Sequence, residues 1–134
     1  MDLFSNPVLM ALGKQLDSAS LSQRVIANNV ANVNTPGFKK SFVSFQEKLK
    51  AALGKQEIVM LTTNLRHMGG APAMENVAPS VVQEKDSTMR YGENNVDIDQ
   101  EMVNLAANTL LYDTSSLIMS NKFKGLENVI RGGS

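Results

Sequence analysis

The stretch from Asn28 to Phe38 reads Asn-Asn-Val-Ala-Asn-Val-Asn-Thr-Pro-Gly-Phe and decides the fold. Asparagine amides compete for backbone hydrogen bonds, so this density of asparagine favours a helix end over a helix interior. Pro36 disfavours helical geometry at the residue before it, and Gly37 adopts a positive φ at little cost. The sequence therefore predicts that a helix ends near Asn34 and that the chain then turns.

An apolar stripe leads into this turn from the amino-terminal side. Its members recur at alternating steps of three and four, which is the spacing of one face of a helix. They are Leu9, Leu12, Leu16, Ala19, Gln23, Ile26, Val30 and Val33. Gln23 is the polar exception. We predict an amphipathic helix roughly 40 Å long.

The carboxy-terminal third carries a second stripe with the same spacing. Its members are Ile98, Met102, Leu105, Thr109, Tyr112, Ser116, Met119, Phe123, Leu126 and Ile130. The two stripes predict a coiled-coil-like hairpin or, equally, seams between subunits of a polymer, and periodicity does not choose between them. Val103, Leu110 and Leu117 form a neighbouring apolar face, which indicates more than one partner helix.

The ends of this second helix, roughly 50 Å long, are specified by charge and by capping residues. Asp97 is predicted as the N-cap, and Asp99 and Glu101 place negative charge where the helix dipole favours it. The basic residues near its end are Lys122, Lys124 and Arg131, before Gly132-Gly133. We predict that the glycine pair stops the helix.

The middle of the chain has weaker patterns. Residues from Phe42 to Leu53 predict a short third helix ended by Gly54. Residues 54–95 mix Gly, Pro and polar residues with the β-prone pieces Ile58–Leu61 and Val81–Val82, and predict a loop-rich, partly disordered insertion. The predicted fold is mainly α, with one discontinuous domain formed by residues 1–53 and 96–134.

Composition excludes several classes of protein. The 13 basic and 13 acidic residues cancel, so no overall positive field favours nucleic acid. The sequence has no cysteine, which excludes disulfides and thiol catalysis. No apolar run is long enough for a membrane-spanning helix, and the acidic Asp2 argues against a cleaved secretory signal.

Candidate catalytic and metal-binding residues are few. His67 is the only histidine, so a metal site would need carboxylates from distant segments. Asp97, Asp99 and Glu101 lack the ligand spacing of an EF-hand and fit helix capping better. Gly69–Gly70 lacks the strand, lysine and hydroxyl of a phosphate loop. We predict no catalytic residue, no cofactor, no metal and no small-molecule substrate.

The run from Arg24 to Lys39 resembles the amino-terminal motif of the flagellar rod, hook and hook-associated proteins, the axial family of the bacterial flagellum. Two further segments are most similar to proximal-rod subunits, and the short chain favours the rod over the hook. These segments are Phe42–Leu49 and Asn94–Met102, together with Tyr112 and Lys122–Leu126. Tyr91-Gly92-Glu93 departs from the Asp-Gly pair that the family pattern has there.

The resemblance implies a non-enzymatic subunit of the proximal rod that polymerises through its terminal helices and transmits torque from motor to hook. It implies export without a cleaved signal through the flagellar type III apparatus, and location in the basal body across the cell envelope. The implied partners are other copies of the chain, other rod proteins, the rod-base adaptor at the export gate and the export apparatus.

The resemblance also implies an assembly motif, in which asparagine amides bridge backbone groups of neighbouring subunits. Its residues are Asn28, Asn29, Ala31, Asn32, Asn34, Thr35, Pro36, Gly37 and Phe38. Two alternatives remain, a different flagellar rod subunit and a cytoplasmic helical-hairpin adaptor with the same stripes. An enzyme would require a pocket of convergent polar groups, for which the sequence offers no pattern.

Overall fold

The computed structural model describes residues 7–54, 77–84 and 94–132. Two long helices account for most of this part of the chain, so the prediction of a mainly α fold is confirmed. At about 1.5 Å per residue the long helices measure about 38 and 50 Å. The elements in chain order are α1 (Pro7–Ala31), β1 (Ser41–Ser44), α2 (Gln46–Gly54), β2 (Ser80–Gln83) and α3 (Ile98–Ile130).

Helices α1 and α3 lie side by side in opposite directions. Hydrogen bonds join two pairs of residues along them, and a third pair lines a common cleft near the start of α1. From the end of α1 to its start, the pairs are Asn29 with Glu101, Ala19 with Asn108, and Leu9 with Leu126. This order fixes an antiparallel hairpin, as the two stripes predicted.

The face that α3 turns toward α1 differs from the apolar stripe predicted for it. The buried and half-buried side chains of α3 are Glu101, Leu105, Asn108, Ser115, Met119 and Leu126. Leu105, Met119 and Leu126 belong both to the predicted stripe and to this face. The rest of the face consists of the polar residues Glu101, Asn108 and Ser115. At about 100° per residue, the face is therefore rotated by about 50° around the helix axis from the stripe.

The ends of the long helices follow the predicted chemistry closely. The Asp97 side chain accepts hydrogen bonds from the N–H groups of Asp99 and Gln100, which confirms it as the N-cap of α3. Gly37 has a φ of 71°, as the turn required. Helix α1 ends at Ala31, three residues before Asn34, because the chain continues in turns after that point.

The prediction of a short third helix is confirmed, but its predicted start at Phe42 is wrong, because the segment after the turn first contains a strand. Strand β1 pairs antiparallel with β2, with Ser41 opposite Gln83 and Ser44 opposite Ser80. Helix α2 begins only at Gln46. The β-prone pair Val81–Val82 therefore lies in a strand. The partner of β1 is distant in sequence, which explains why the local pattern was misleading.

A small second core lies where the β-ribbon meets α2. Phe45 is 1% exposed and packs with Val77, and Val43 and Leu49 are packed against this pair. The rest of the predicted loop-rich insertion, including Ile58–Leu61 and His67, lies outside the described residues. Among the described residues, no helix is apolar enough over its length to cross a membrane.

Candidate functional site

Asn29 joins three elements of the fold through one buried side chain, which is 1% exposed. Its Nδ2 donates to the carbonyl oxygen of Ser41 at 2.8 Å and to Oε2 of Glu101 at 2.9 Å. Its Oδ1 accepts from the Ser41 N–H at 2.9 Å. The amide therefore bonds both the N–H and the carbonyl oxygen of Ser41 at the start of β1, and it also donates to a carboxylate in the first turn of α3.

Glu101 is the charged partner in this contact and is 4% exposed. Its second oxygen, Oε1, accepts from Nδ2 of Asn104 at 3.4 Å. The ion pairs between described residues lie elsewhere, so amides hold this carboxylate. Its position in the first turn of α3 also gives it the favourable field of the helix N-terminus.

Asn94 closes the turn that follows α1. Its Nδ2 lies 2.9 Å from the carbonyl oxygen of Asn32, 3.1 Å from that of Val33 and 2.8 Å from that of Thr35. Its Oδ1 accepts from the Val96 N–H at 2.8 Å. A residue of the carboxy-terminal half therefore supplies the donor for three turn carbonyls of the amino-terminal half.

Asn95 ties the same two parts of the chain at a second point. Its Oδ1 accepts from the Lys40 N–H at 2.7 Å, and the residue is 1% exposed. We call Asn29, Asn94, Asn95 and Glu101 the asparagine junction. The sequence pattern predicted no such contact for Asn94 and Asn95. The available signal was a second asparagine pair, which is separated from the N-cap Asp97 by Val96 alone.

The predicted assembly motif is split by the structure into buried and exposed members. Asn29 bonds within the chain, and the Asn32 side chain donates to the Asn28 carbonyl at 2.8 Å and accepts from Thr35 Oγ1 at 3.2 Å. Phe38 is half-buried. The exposed members are Asn28, Ala31, Asn34, Thr35, Pro36 and Gly37. The structure therefore leaves these six members accessible at the surface.

The predicted seam residues are divided in the same way. On α1, Leu9 and Ile26 are buried together with Ala19, whereas Gln23 is exposed. The half-buried members are Leu12, Leu16 and Val30 on α1, Val33 in the turn that follows it, and Leu105, Met119 and Leu126 on α3. The exposed members on α3 are Ile98, Met102, Tyr112, Phe123 and Ile130. The stripe of α3 is thus only partly covered by α1.

The interface between the long helices buries small and polar side chains as well as apolar ones. Ser18 and Ala19 of α1 and Ser115 of α3 are buried along it. Asn108 donates from Nδ2 to the Ala19 carbonyl oxygen at 2.9 Å. Small side chains let two helices approach closely, but they remove little apolar surface from water. The hairpin alone therefore leaves most of the apolar surface of α3 uncovered.

That uncovered surface includes an apolar strip along the outside of α3. Val103, Leu110 and Leu117 are 63%, 69% and 62% exposed. Leu110 is five residues after Leu105 and two after Asn108, so at about 100° per residue it points away from α1. We call Val103, Leu110 and Leu117 the outer strip. Contiguous exposed apolar surface of this kind marks an interaction site.

An open cavity of about 310 Å³ lies between α1, β1 and α3. Among the described residues that line it, the ionisable side chain is that of Glu101, which already accepts the hydrogen bond from Asn29. These described lining residues include no nucleophile paired with a base. Within residues 7–54, 77–84 and 94–132, no three His, Asp or Glu side chains cluster in a way that suits a metal ion.

We expect Asn94→Ala to loosen the turn after α1, because three carbonyl oxygens lose their side-chain donor. The expected loss is on the order of 1 to 3 kcal/mol. Amide hydrogen exchange should accelerate at Thr35, Phe38 and Val96 together. The control is Asn34→Ala, which removes an exposed amide from the same turn. Equal exchange in both variants would contradict the assignment.

The chain is similar in sequence to several known proteins. A family profile described as flagella basal body rod protein matches residues 16–39, which cover the end of α1 and the turn. The flagellar basal body rod protein FlgB of Bacillus subtilis (strain 168) is 36% identical over 133 residues, which is 99% of each chain.

FlgB proteins of other bacteria are also similar to the chain. The FlgB protein of Borreliella burgdorferi is 33% identical over 123 residues, covering 88% of this chain and 91% of its own. That of Escherichia coli (strain K12) is 31% identical over 117 residues, covering 84% of each chain. The similarity thus spans both long helices as well as the asparagine-rich turn.

Proposed function

The chain belongs to the FlgB family of flagellar basal body rod proteins, and from this premise we propose that it forms the proximal rod by polymerising through the outer face of α3. As a member of this family it is a structural subunit of the rod, located in the flagellar basal body and associated with other rod proteins. The position within the rod and the surfaces used are our proposal.

The position of the outer strip is the observation that supports this proposal most directly. Val103, Leu110 and Leu117 recur every seven residues, and this spacing suits lengthwise packing against another helix. Each covered side chain would contribute about 1.5 to 3 kcal/mol. Because every copy presents the same strip, a contact that uses it with a different surface of the next copy repeats into a filament.

Exposed apolar residues beside the outer strip, two of them members of the predicted seam, extend this surface along α3. Met102 and Phe123 lie on one side of the outer strip, and Leu111 and Ile118 lie on the other. Several neighbouring helices can therefore contact one α3, as a tube wall requires. In such a wall, paired helices packed against neighbours resist twisting, which supports a role in transmitting torque from motor to hook.

The asparagine junction supports export in an unfolded form through the flagellar type III apparatus. The turn after α1 obtains its closing donor from Asn94, and Asn95 accepts from the Lys40 N–H, so the two ends of the chain fold together. The absence of cysteine means that no disulfide must form after export. Contact with the export apparatus and with a rod-base adaptor at the export gate belongs to the same proposal.

Mass spectrometry of purified basal bodies tests the location and the position within the rod. We expect the chain to be enriched in basal bodies over cytosol, and to remain in basal bodies from a strain that lacks the distal-rod protein. Loss from those truncated structures would favour a different rod subunit. Recovery from cytosol alone would favour the helical-hairpin adaptor and would contradict the proposal.

We expect assembly to increase helicity at the outer ends of the two long helices, because an isolated chain would have to order these ends while leaving the outer strip in water. Ordering costs roughly 1 to 2 kcal/mol per residue in backbone entropy, which neighbouring subunits help to offset. Far-ultraviolet circular dichroism should show a weaker helical signal in dilute protein than in polymer, and protease should cleave the dilute termini first. Full helicity in dilute monomer would contradict this expectation.

A further inference from the structure

Three polar side chains spaced seven residues apart meet α1 or its following turn. Asn94 donates to the carbonyl oxygens at 32, 33 and 35, Glu101 accepts from Asn29, and Asn108 donates to the carbonyl oxygen of Ala19. We call Asn94, Glu101 and Asn108 the polar column. Counted from the turn after α1, Asn94 donates, Glu101 accepts and Asn108 donates.

The apolar side chains of α3 that are partly covered by α1, Leu105, Met119 and Leu126, are separated by multiples of seven residues, so they define the register only weakly. A shift of α3 by one heptad moves it about 10 Å along α1 and brings Met119 to the place of Leu126. Asn94 and Asn95 also tie the start of α3 to the turn and to Lys40, but an amide both donates and accepts and so does not by itself exclude a shifted register. Any unique register must come from side chains that are not interchangeable.

The polar column distinguishes registers through its charge. Asn94 lies before the N-cap of α3, so a shift that puts Asn108 in the place of Glu101 moves Glu101 about 10 Å beyond Asn29 and sets its carboxylate against the turn carbonyls that Asn94 binds. If α3 shifts in the opposite direction, Glu101 takes the place of Asn108 and faces the carbonyl of Ala19. A carboxylate only accepts hydrogen bonds, so either shift brings acceptor against acceptor in a buried site.

A column of three amides would not make this distinction. An amide donates and accepts, so asparagine or glutamine in any of the three places could satisfy the group opposite it. We propose that the carboxylate of Glu101 fixes the axial register of α3 on α1. Glu101 is then a positioning residue, and it acts by making the shifted registers unfavourable as well as by bonding Asn29.

The register determines how the outer surface of α3 is aligned with the exposed side of α1. A subunit shifted by one heptad would present the outer strip about 10 Å from its correct level. This consequence for the polymer rests on the proposed function. The register itself is a property of one chain, so it is measured without any assembly.

The test compares Glu101→Gln with the parent by a distance measurement between two spin labels. The sequence has no cysteine, so Ser20→Cys and Ser120→Cys attach spin labels at two exposed positions and no other residue takes up the label. Pulsed dipolar spectroscopy on frozen protein should give one distance in the parent. In Glu101→Gln we expect a second distance, displaced by about 5 to 10 Å, because glutamine satisfies the shifted registers.

The control is Asp113→Asn, which makes the same change from carboxylate to amide at an exposed position of α3. It should retain the single distance. A single unchanged distance in Glu101→Gln would overturn the inference. A variant with no defined distance would also overturn it, because the carboxylate would then act on stability and not on register.

Motility of a strain carrying only the Glu101→Gln protein separates this inference from the proposed function. We expect reduced motility together with the second distance. A second distance with normal motility would support the register inference and contradict the proposed use of the outer strip. Reduced motility with one distance would contradict the register inference and leave the proposed function in place.

Discussion

Asn29→Leu should prevent stable pairing of α1 with α3, the largest loss of stability that we expect from one substitution. Leucine has a similar size but no hydrogen-bonding group, so both backbone groups of Ser41 and Oε2 of Glu101 lose their partner. A buried polar group left unsatisfied costs about 1 to 3 kcal/mol, and a charged one costs more. The total is on the order of 4 kcal/mol or more, a large share of the typical stability of a domain.

Urea denaturation followed by circular dichroism, at one fixed protein concentration, measures this loss. The matched control is Asn28→Leu, which makes the same chemical change one residue earlier at an exposed position. We expect its midpoint to stay close to that of the parent. Equal loss in the two variants would show that helix propensity, and not the asparagine junction, accounts for the effect.

Leu110→Asp should abolish swimming while leaving the hairpin folded. Leu110 is 69% exposed and points away from α1, so aspartate stays in water in the single chain. In a polymer that covers the outer strip, the same carboxylate would be buried without a partner, which costs several kcal/mol in each repeated contact. Motility in soft agar measures the loss, and circular dichroism of the purified protein checks the fold.

Ser20→Asp is the control for this experiment. It adds the same charge at an exposed position of α1, outside the outer strip. We expect it to swim. Normal swimming of Leu110→Asp would contradict the use of the outer strip in assembly, and a parallel defect in both variants would indicate that an added charge on either long helix matters regardless of position.

The long helices were predictable because their signals are local. Alternating steps of three and four located both of them, Asp97 marked the start of α3, and Gly37 marked the turn. The strand at Ser41–Ser44 was not predictable from its neighbours, because its partner at Ser80–Gln83 is far away in sequence. A strand is stabilised by what lies beside it, and that information is not contained in a short window.

The contacts of the asparagine junction were hidden for a different physical reason. Hydrophobic periodicity assumes that a helix turns its apolar side inward, and α3 does the opposite along the column of Glu101, Asn108 and Ser115. Apolar residues on most sides of α3 satisfied the stripe pattern without indicating which side faces α1. The density of asparagine pointed to the right region, but the pairing of Asn29 with Glu101 depends on the folded geometry.

The closing of the turn by Asn94 and Asn95 has a consequence for chains that are made incompletely. A polypeptide that stops before Asn94 contains α1 and its turn, yet it lacks every group that closes that turn from the other half. We expect such a product to be more open to proteases at the turn than the finished chain, because these hydrogen bonds are missing. Closure of the amino-terminal turn thus depends on synthesis having passed Asn95.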